Sequence, residues 1–558
     1  MYRVTELLIH NLKCEAANTL LYNCKKSWWH RLLFLCVSFL LISYNGFAQD
    51  TSCTVIWYPA IQLSDSGEDA YTPQITLTGD DTVHVTWKGF TNIKYRLPYA
   101  RSTDNGGTWE TTRDLVTDTI EFPVRFFYNL IVSEGQKVYV FAANEGNNNR
   151  EIAMTVSTDR GTTWNPTVRI GPDSAVGLYS ANLSNDTLIV VYSPWQGGFS
   201  QEPRLIYSTD AGMTWTLTND TLDGYTRTAY TSGTLHLVRS TIANNAQEML
   251  YLRSYDLGNT FPQSEILSEI DGYDAIDYAF ASAPSGSNKL VVSWRDARAC
   301  AGFLGCTIIE RASNDNGNSW TPEEVLTDEP WGFVPSVAVN QQGAIAVAWI
   351  AEVVFDTYHH VASRFKKDQY SAWFPIVDQT PMINNAIYPS IAVSDKAIHL
   401  AWEQETGSGN FRIFYRRGVF YNKTDTINYE QGWNLVSLPM QTDSTYILPS
   451  LFGYDGSYVS SDSMVLGKGY WAKPNSQISY GGSDVLIDTI DVKLGWNLIG
   501  SLTCPVHVST VRSIPDSIII SNFFGYGSSA YYQSEIIEPG RAYWVKVSQA
   551  GKLILKAN

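Results

Sequence analysis

One ten-residue phrase recurs along this chain and restricts what it can fold into. It reads RSTDNGGTWE at Arg101–Glu110, VSTDRGTTW at Val156–Trp164 and YSTDAGMTW at Tyr207–Trp215. RSYDLGNTF at Arg253–Phe261 and ASNDNGNSW at Ala312–Trp320 follow, and a degraded copy, ASRFKKDQYSAW, covers Ala362–Trp373. The copies lie roughly 50 residues apart, a period that means stacked copies of one supersecondary unit. Within the phrase the short Asp side chain is placed to bond backbone N–H groups of a turn, and the Gly supplies a positive φ. The closing aromatic then covers the turn as the next strand begins.

The whole unit repeats, not only the phrase. Several copies open with an aromatic or apolar residue before Pro, as in YTPQITLTG from Tyr71, FVPSVAVNQQG from Phe333 and YPSIAVSD from Tyr388. Alternating runs ending in Trp follow: VHVTW to Trp87, LVVSW to Trp294, IAVAW to Trp349 and IHLAW to Trp402. A third run such as PRLIYS or EMLYLRS leads into the phrase, and a fourth comes after it. Period-2 alternation broken by Gly, Asn and Asp predicts four antiparallel strands per unit, the blade of a β-propeller. Units starting near Pro73, Asn129, Ala181, Thr228, Ala279, Pro335 and Pro389 favour seven blades over six. The last unit ends near Phe420 one strand short. TVIWYPAIQLSD (Thr54–Asp65) reads like the strand after a phrase, so it is expected to close the ring and remove an open sheet edge.

The phrases resemble the Asp boxes, or BNR repeats, of sialidase-like β-propellers, and the resemblance covers about residues 52–420. It implies that the box carboxylates Asp104, Asp159, Asp210, Asp256 and Asp315 are structural and lie on one rim. The family's active site lies on the opposite face, where loops between second and third strands meet the entries to the first strands. Tyr71, Trp87, Trp294, Asp296, Trp349, His359 and Trp402 are the candidates for a binding surface there, with Asn144, Glu145 and Trp195 beside them. Recurrence of Trp at one position of the repeat suggests packing between blades more than a binding platform. The Arg295–Arg298 stretch is likewise read as an Arg–Asp pair that orders a loop in preference to an anion or glycan contact.

Catalytic sialidases grip a substrate carboxylate with three arginines, because the planar guanidinium matches a carboxylate bidentately. They add a Tyr–Glu nucleophile pair and an Asp acid/base. The first arginine comes from a Phe/Tyr-Arg-Ile-Pro motif, but Ala70-Tyr71-Thr72-Pro73 places Tyr71 where that arginine belongs. The YRLP at Tyr95–Pro98 runs directly into the first box and so sits on the wrong strand. The departure favours a non-catalytic glycan- or protein-binding protein. The competing expectation is an exo-α-sialidase or related glycoside hydrolase. Arg295, Arg298 and Arg412 (or Arg416 or Arg417) would then bind the carboxylate, and Glu352, Asp356 or Glu403 would supply acid–base chemistry.

Lys25, Lys26 and Arg31 precede the apolar run Leu32–Ile42, and Gly46-Phe47-Ala48 follows as a small-x-small cleavage site. Residues 1–48 thus read as a signal peptide with a long basic leader. The apolar run is too short for a span of about 20 residues, which favours a cleaved signal over an anchor and a secreted or cell-surface protein. Beyond the leader, with its Cys14, Cys24 and Cys36, the cysteines are Cys53, Cys300, Cys306 and Cys504. Export makes a Cys300–Cys306 disulfide around the AGFLG loop the expected pairing. A net charge of −16 without any Lys/Arg block argues against nucleic acid as a partner. Neither metal nor cofactor is expected: there is no Cys-x-x-Cys, clustered His, P-loop, dinucleotide fingerprint or Gly-x-Ser-x-Gly. A monomer is expected.

Residues 421–558 change pattern. Gly432-Trp433-Asn434-Leu435 recurs as Gly495-Trp496-Asn497-Leu498, LFGYDG from Leu451 as FFGYG from Phe523, and KGYWAKP from Lys468 as RAYWVKV from Arg541. This is a two-copy β module, similar to C-terminal modules attached to secreted bacterial proteins. Trp433 and Trp496 read as core anchors of the two copies in preference to sugar contacts.

Overall fold

The computed structural model describes residues 55–557 except for short stretches, the longest being 116–124, 300–305, 353–357 and 421–425. The expected signal segment, Cys53, Cys300 and Asp356 lie outside the described residues. Among the described residues seven antiparallel sheets follow one another along the chain, four of four strands and three with a short fifth strand beside the same four-strand path. Blade 1 runs Asp69–Thr78, Thr82–Thr91, Pro98–Ser102 and Arg113–Asp114. The later blades open with first strands Arg125–Glu134, Ala175–Ser184, Thr226–Thr231, Ala275–Ser282, Gly332–Val339 and Ala386–Val393. Each first strand packs against the first strand of the next blade, and the seventh packs against the first, so the sheets form a closed ring. Blade 7 lacks a fourth strand of its own. Val55–Trp57 and Ile61–Gln62 fill that place by pairing with Phe411–Phe420, with Val55 opposite Phe420 and Ile61 opposite Tyr415.

The second-strand tryptophans pack between blades and drop out of the binding-face candidates. Trp87, Trp294, Trp349 and Trp402 are 0–2% exposed. Trp87 packs with Ala401 and Tyr415 of blade 7, Trp294 with Val238 and Tyr251 of blade 4, Trp349 with Val291 and Ile308 of blade 5, and Trp402 with Ala346 and Ala348 of blade 6. Each indole fills the gap to the preceding blade. They are mortar between blades and form no part of a binding surface.

All five boxes use one hydrogen-bond scheme. The Ser hydroxyl donates to the Asp Oδ1 at 2.7–2.8 Å and accepts the Gly N–H at 2.8–2.9 Å. The residue four positions after the Asp returns its N–H to Oδ1 and its hydroxyl to Oδ2. Those donors hold the carboxyls of Asp159 and Asp210 down to about 2. The turn needs two successive positive φ angles, as at Asn105 (60°) and Gly106 (78°).

The boxes also tie each blade to the one before. Trp109, Trp164 and Trp320 meet Tyr415, Tyr99 and Tyr251 of the preceding blades edge-on at 4.7–5.1 Å. Those three tyrosines each hydrogen-bond a buried histidine of their own blade at 2.7 Å: His399, His84 and His236. Two residues further on, Arg101, Arg253 and Arg417 donate to backbone carbonyls of the following box, at Arg160, Asn316 and Asn105. A His, a Tyr-x-Arg and the next box thus make one staple, used at three blade junctions.

These histidines set an acid limit on stability. Burial lowers His84 to about 3, His236 to about 4 and His399 to about 3. Below about pH 6.5 the unfolded chain takes up protons that the folded chain refuses, so stability falls with pH. The slope is at most about 1.4 kcal/mol per pH unit for each histidine. Burial raises Glu68, Glu310 and Glu403 to about 7. Their contribution has the opposite sign and is lost as pH rises from about 4.5 to 7. The two sets oppose each other between about pH 4.5 and 6.5, and below that window the histidines act unopposed. A thermal midpoint followed against pH is expected to be nearly flat and then to fall steeply below about pH 4.5. His84→Gln is expected to make that limb shallower, because His84 refuses a proton down to about pH 3, and an unchanged slope would remove His84 from the account.

Blade 6 carries the degraded box and replaces it. Ser363 accepts a hydrogen bond from Gln379 at 2.8 Å, with no box Asp to receive one from it. Lys366, fully buried, bonds Glu310 at 3.0 Å and Glu324 at 2.6 Å in blade 5 and lies 4.7 Å from the Trp373 ring centre.

The C-terminal part holds two sheets of identical strand order. One comprises Asn434–Ser437, Gly469–Ala472, Phe452–Tyr454 and Tyr458–Ser460; the other comprises Gly495–Ile499, Tyr543–Val547, Phe523–Gly527 and Ala530–Ser534. Asn434 and Asn497 earn their place in the repeat by bonding the loop carbonyls of Glu430 and Lys493 at 2.8 and 2.7 Å. Trp433 and Trp496 are 41% and 42% exposed, so they are not core anchors. They sit edge-on to the inner Trp471 and Trp544 at 6.3 and 6.5 Å. Among the described residues no helix is long and apolar enough to cross a membrane.

Candidate functional site at the entry to the first strands

The boxes join third to fourth strands, so the entries to the first strands lie on the opposite face. Six of the seven first strands carry a bulge at that end, between Tyr71 and Gln74 in blade 1 and at matching places in blades 2, 3, 5, 6 and 7. Bulges re-aim side chains and are common beside functional sites. In four blades the bulge holds a residue other than Gly at positive φ: Thr72 (48°), Asp277 (48°), Val334 (44°) and Tyr388 (50°). A conformation this unfavourable for β-branched residues, present in four blades, belongs to the repeat.

The arginines named from sequence do not converge. Arg298 is held by Asp296 (2.8 Å), Glu269 (2.6 Å), Asp271 (3.3 Å) and Glu323. Burial works against its charge, but the bonds to Asp296 and Glu323 hold it above the usual arginine range. The 3% exposed Asp296 is therefore committed to ordering the Ala297–Ala299 turn. Arg295 faces Asp277 at 3.1 Å and the Phe333 ring at 5.4 Å. Arg412 bonds Asp69 at 3.2 Å and the Ser66 carbonyl at 2.7 Å. Arg416 bonds the Tyr58 carbonyl and Gln379, and burial lowers it to about 10. Arg295, Arg298, Arg412 and Arg416 share no partner among the described residues; Arg417, part of a staple, lies over the ring of Tyr58, whose carbonyl Arg416 bonds.

Glu403 is one of two carboxyls on this face, with Glu68, that burial strongly alters. It is 3% exposed and accepts the Thr72 N–H at 2.7 Å, linking blade 7 to the strained bulge of blade 1. Burial pushes it up to about 7, opposed by that N–H and by Lys88. The Lys88 ammonium lies 5.4 Å from the Tyr71 ring centre, and Tyr71 packs on Phe411 at 5.8 Å. Burial, with Asp69 and Glu403 nearby, raises the Tyr71 phenol. His359 is opposite Glu352 across the ladder, and its ring lies 3.4 Å from the side-chain oxygen of Asn385. Asp356 and the side chains of Asn144, Glu145 and Trp195 lie outside the described residues. So does Cys300, while Cys306 and Cys504 are each disulfide-bonded. Among the described residues no group of His, Cys, Asp and Glu could hold a metal ion.

An arc of tyrosines was not anticipated. Tyr179 meets Tyr225 at 5.1 Å, and Tyr225 meets Tyr278 at 5.7 Å, both edge-on. Tyr128, raised by burial and by the neighbouring Tyr179 and Tyr225, extends the arc into blade 2. Tyr128 and Tyr225 are 45% and 43% exposed. Arg227 lies 4.4 Å from the Tyr225 ring centre. The signal was readable: each of the units starting near Asn129, Ala181, Thr228 and Ala279 has a Tyr just before that point. Without a following Pro, these units escaped the motif that exposed Tyr71 and Phe333.

No protein-family model matches the chain, and no curated protein matches it. Solved structures that it resembles include a protein of unknown function from Dyadobacter fermentans, at 12% identity over 66% of this chain and 100% of that one, TM-score 0.40. An α-L-arabinofuranosidase from Fusarium graminearum aligns at 15% identity over 57% and 97%, TM-score 0.39. A mutant Trypanosoma rangeli sialidase displaying trans-sialidase activity aligns at 11% identity over 90% and 95%, TM-score 0.37. At such values the site's own residues have to carry any functional reading. What the strands themselves establish is an all-β, seven-bladed propeller with repeated Ser-x-Asp-x-Gly turns, followed by a two-repeat β module.

Proposed function

We propose that this chain is an exported, non-catalytic binding protein whose propeller presents its ligand surface at the entry to the first strands, with an extracellular glycan as the ligand. The observation that carries the reading is the commitment of Arg295, Arg298 and Arg412 to three separate carboxylate sets. An arginine already neutralised in this way contributes little to gripping a substrate carboxylate. The exposed tyrosines favour a sugar over a protein ligand, because their rings offer flat apolar faces with polar tips. Export rests on the signal read in residues 1–48.

The mature chain is expected to bind on a glycan array and to leave a fluorogenic sialoside intact. Turnover of the sialoside would replace this reading with the hydrolase one. Glu403 is the observation that favours that second reading, since a carboxyl near 7 is suited to general acid–base work. In that case Glu403→Gln would abolish turnover.

A further inference from the structure

We infer that Arg227, with Tyr225, Tyr179 and Tyr128, forms a subsite for a uronate residue within a polysaccharide chain; this rests on the glycan-binding reading above. Arg227 stands on the first strand of blade 4, Thr226–Thr231. Its guanidinium donates to the Tyr179 carbonyl and to the Tyr225 hydroxyl, and it lies over the Tyr225 ring. Two of its five N–H groups are so used. Among the described residues it pairs with no carboxylate, unlike Arg295, Arg298 and Arg412 on the same face. In a chain with 55 acidic and 39 basic side chains, a cation left uncommitted on the binding face is the group that gains from an incoming anion.

The surroundings select the kind of anion. A planar guanidinium matches a planar carboxylate through paired N–H donors. Tyr225 and Tyr128 offer exposed rings on which the C–H face of a pyranose can lie, so the carboxylate is best carried by a sugar ring. The arc draws on the first strands of blades 2 and 3 and the segment entering blade 4, which suits a run of sugars better than one terminal unit. The geometry is also held in advance. The Tyr278 hydroxyl donates to the Tyr225 carbonyl and accepts the Ser240 N–H at 3.2 Å, which fixes the residue on which Arg227 rests. Ordering done before binding is not charged against affinity.

The test measures binding of the mature chain to polygalacturonate and to the same polymer after reduction of its carboxyls to alcohols. The wild-type chain is expected to bind the acidic polymer at least tenfold more tightly. Arg227→Gln should weaken binding of the acidic polymer at least tenfold more than binding of the neutral one, erasing the preference. Arg227→Lys should recover only part of the preference, since an ammonium keeps the charge without the fork. Tyr225→Ala should weaken both polymers. Thermal midpoints within a few degrees of wild type establish that the variants are folded; if Arg227→Gln is not, the Lys variant and the wild-type preference decide. Equal wild-type affinity for the two polymers, or an Arg227→Gln effect that is the same on both, overturns the uronate subsite and leaves the glycan-binding reading standing. Failure to bind either polymer while other glycans bind also overturns only the subsite. Failure to bind any glycan overturns both.

Discussion

Lys366→Met is expected to destabilise the propeller by about 3–5 kcal/mol, the loss found when one partner of a buried ion pair is removed. Lys366 and Glu310 are both 0% exposed and sit 3.0 Å apart across the junction of blades 6 and 5. The destabilisation comes from what is left behind. Without the ammonium, the Glu310 charge has no buried counter-ion and one of its oxygens has no hydrogen bond even now. Burial has already raised that carboxyl to about 7. Removing Lys366 raises it further, and the variant is expected to recover part of its stability in mildly acidic buffer as Glu310 takes a proton. The double variant Lys366→Met with Glu310→Leu removes both charges and is expected to return close to wild type, since apolar replacement of a whole buried pair is often neutral or stabilising. Thermal and urea midpoints of the two single variants and the double decide the matter. A double variant no better than Lys366→Met alone would show that the site is held by packing around Trp373 instead.

Gly161→Ala is expected to cost about 2–5 kcal/mol, the sum of a left-handed backbone forced on alanine and an overpacked junction. The φ at Gly161 is +76°, and an added Cβ would lie 1.9 Å from the Tyr99 hydroxyl and 3.2 Å from His84 Nδ1. The methyl group therefore strikes the staple between blades 1 and 2 and forces apart the 2.7 Å bond between His84 and Tyr99. Gly135→Ala is the matched control, because its φ is +61° with nothing within 4 Å of the added Cβ. It should carry the backbone penalty alone, about 1–2 kcal/mol. Tyr99→Phe should relieve part of the clash, so the Gly161→Ala and Tyr99→Phe pair is expected to be less destabilising than the sum of the singles. Equal thermal midpoints for Gly161→Ala and Gly135→Ala would overturn the staple.

Most of the scaffold was legible because it is written in local chemistry. A Ser-x-Asp-x-Gly turn closes through side chains two to four residues apart, so the boxes announce themselves in one dimension. The alternation of each strand and the missing fourth strand of blade 7 are likewise questions of pattern and count. The staple was less visible. Its three parts, such as His84, the Tyr99/Arg101 pair and Gly161, lie on different strands and on two blades, and the Tyr-x-Arg spacing acquires meaning only when the next blade packs against it.

The site was legible least. Trp87, Trp294, Trp349 and Trp402 stood at strand ends as platform candidates although their recurrence spoke for packing, and adjacent blades do close over them. Arg298 reads first as half of a loop-ordering Arg–Asp pair, but its further partners Glu269, from the segment after blade 4, and Glu323, from its own blade, lie 29 and 25 residues away. Charge on a side chain is a property of the sequence; whether that charge is already spent is a property of its neighbours.

By itself, then, the sequence determined a ring of four-stranded blades, the faces on which boxes and strand entries lie, and a repeated C-terminal module, because hydrogen-bonded turns and period-2 burial are local. Only the tertiary structure decided which arginines are neutralised and that a tyrosine arc flanks Arg227. Those outcomes depend on contacts between blades that have no fixed separation along the chain.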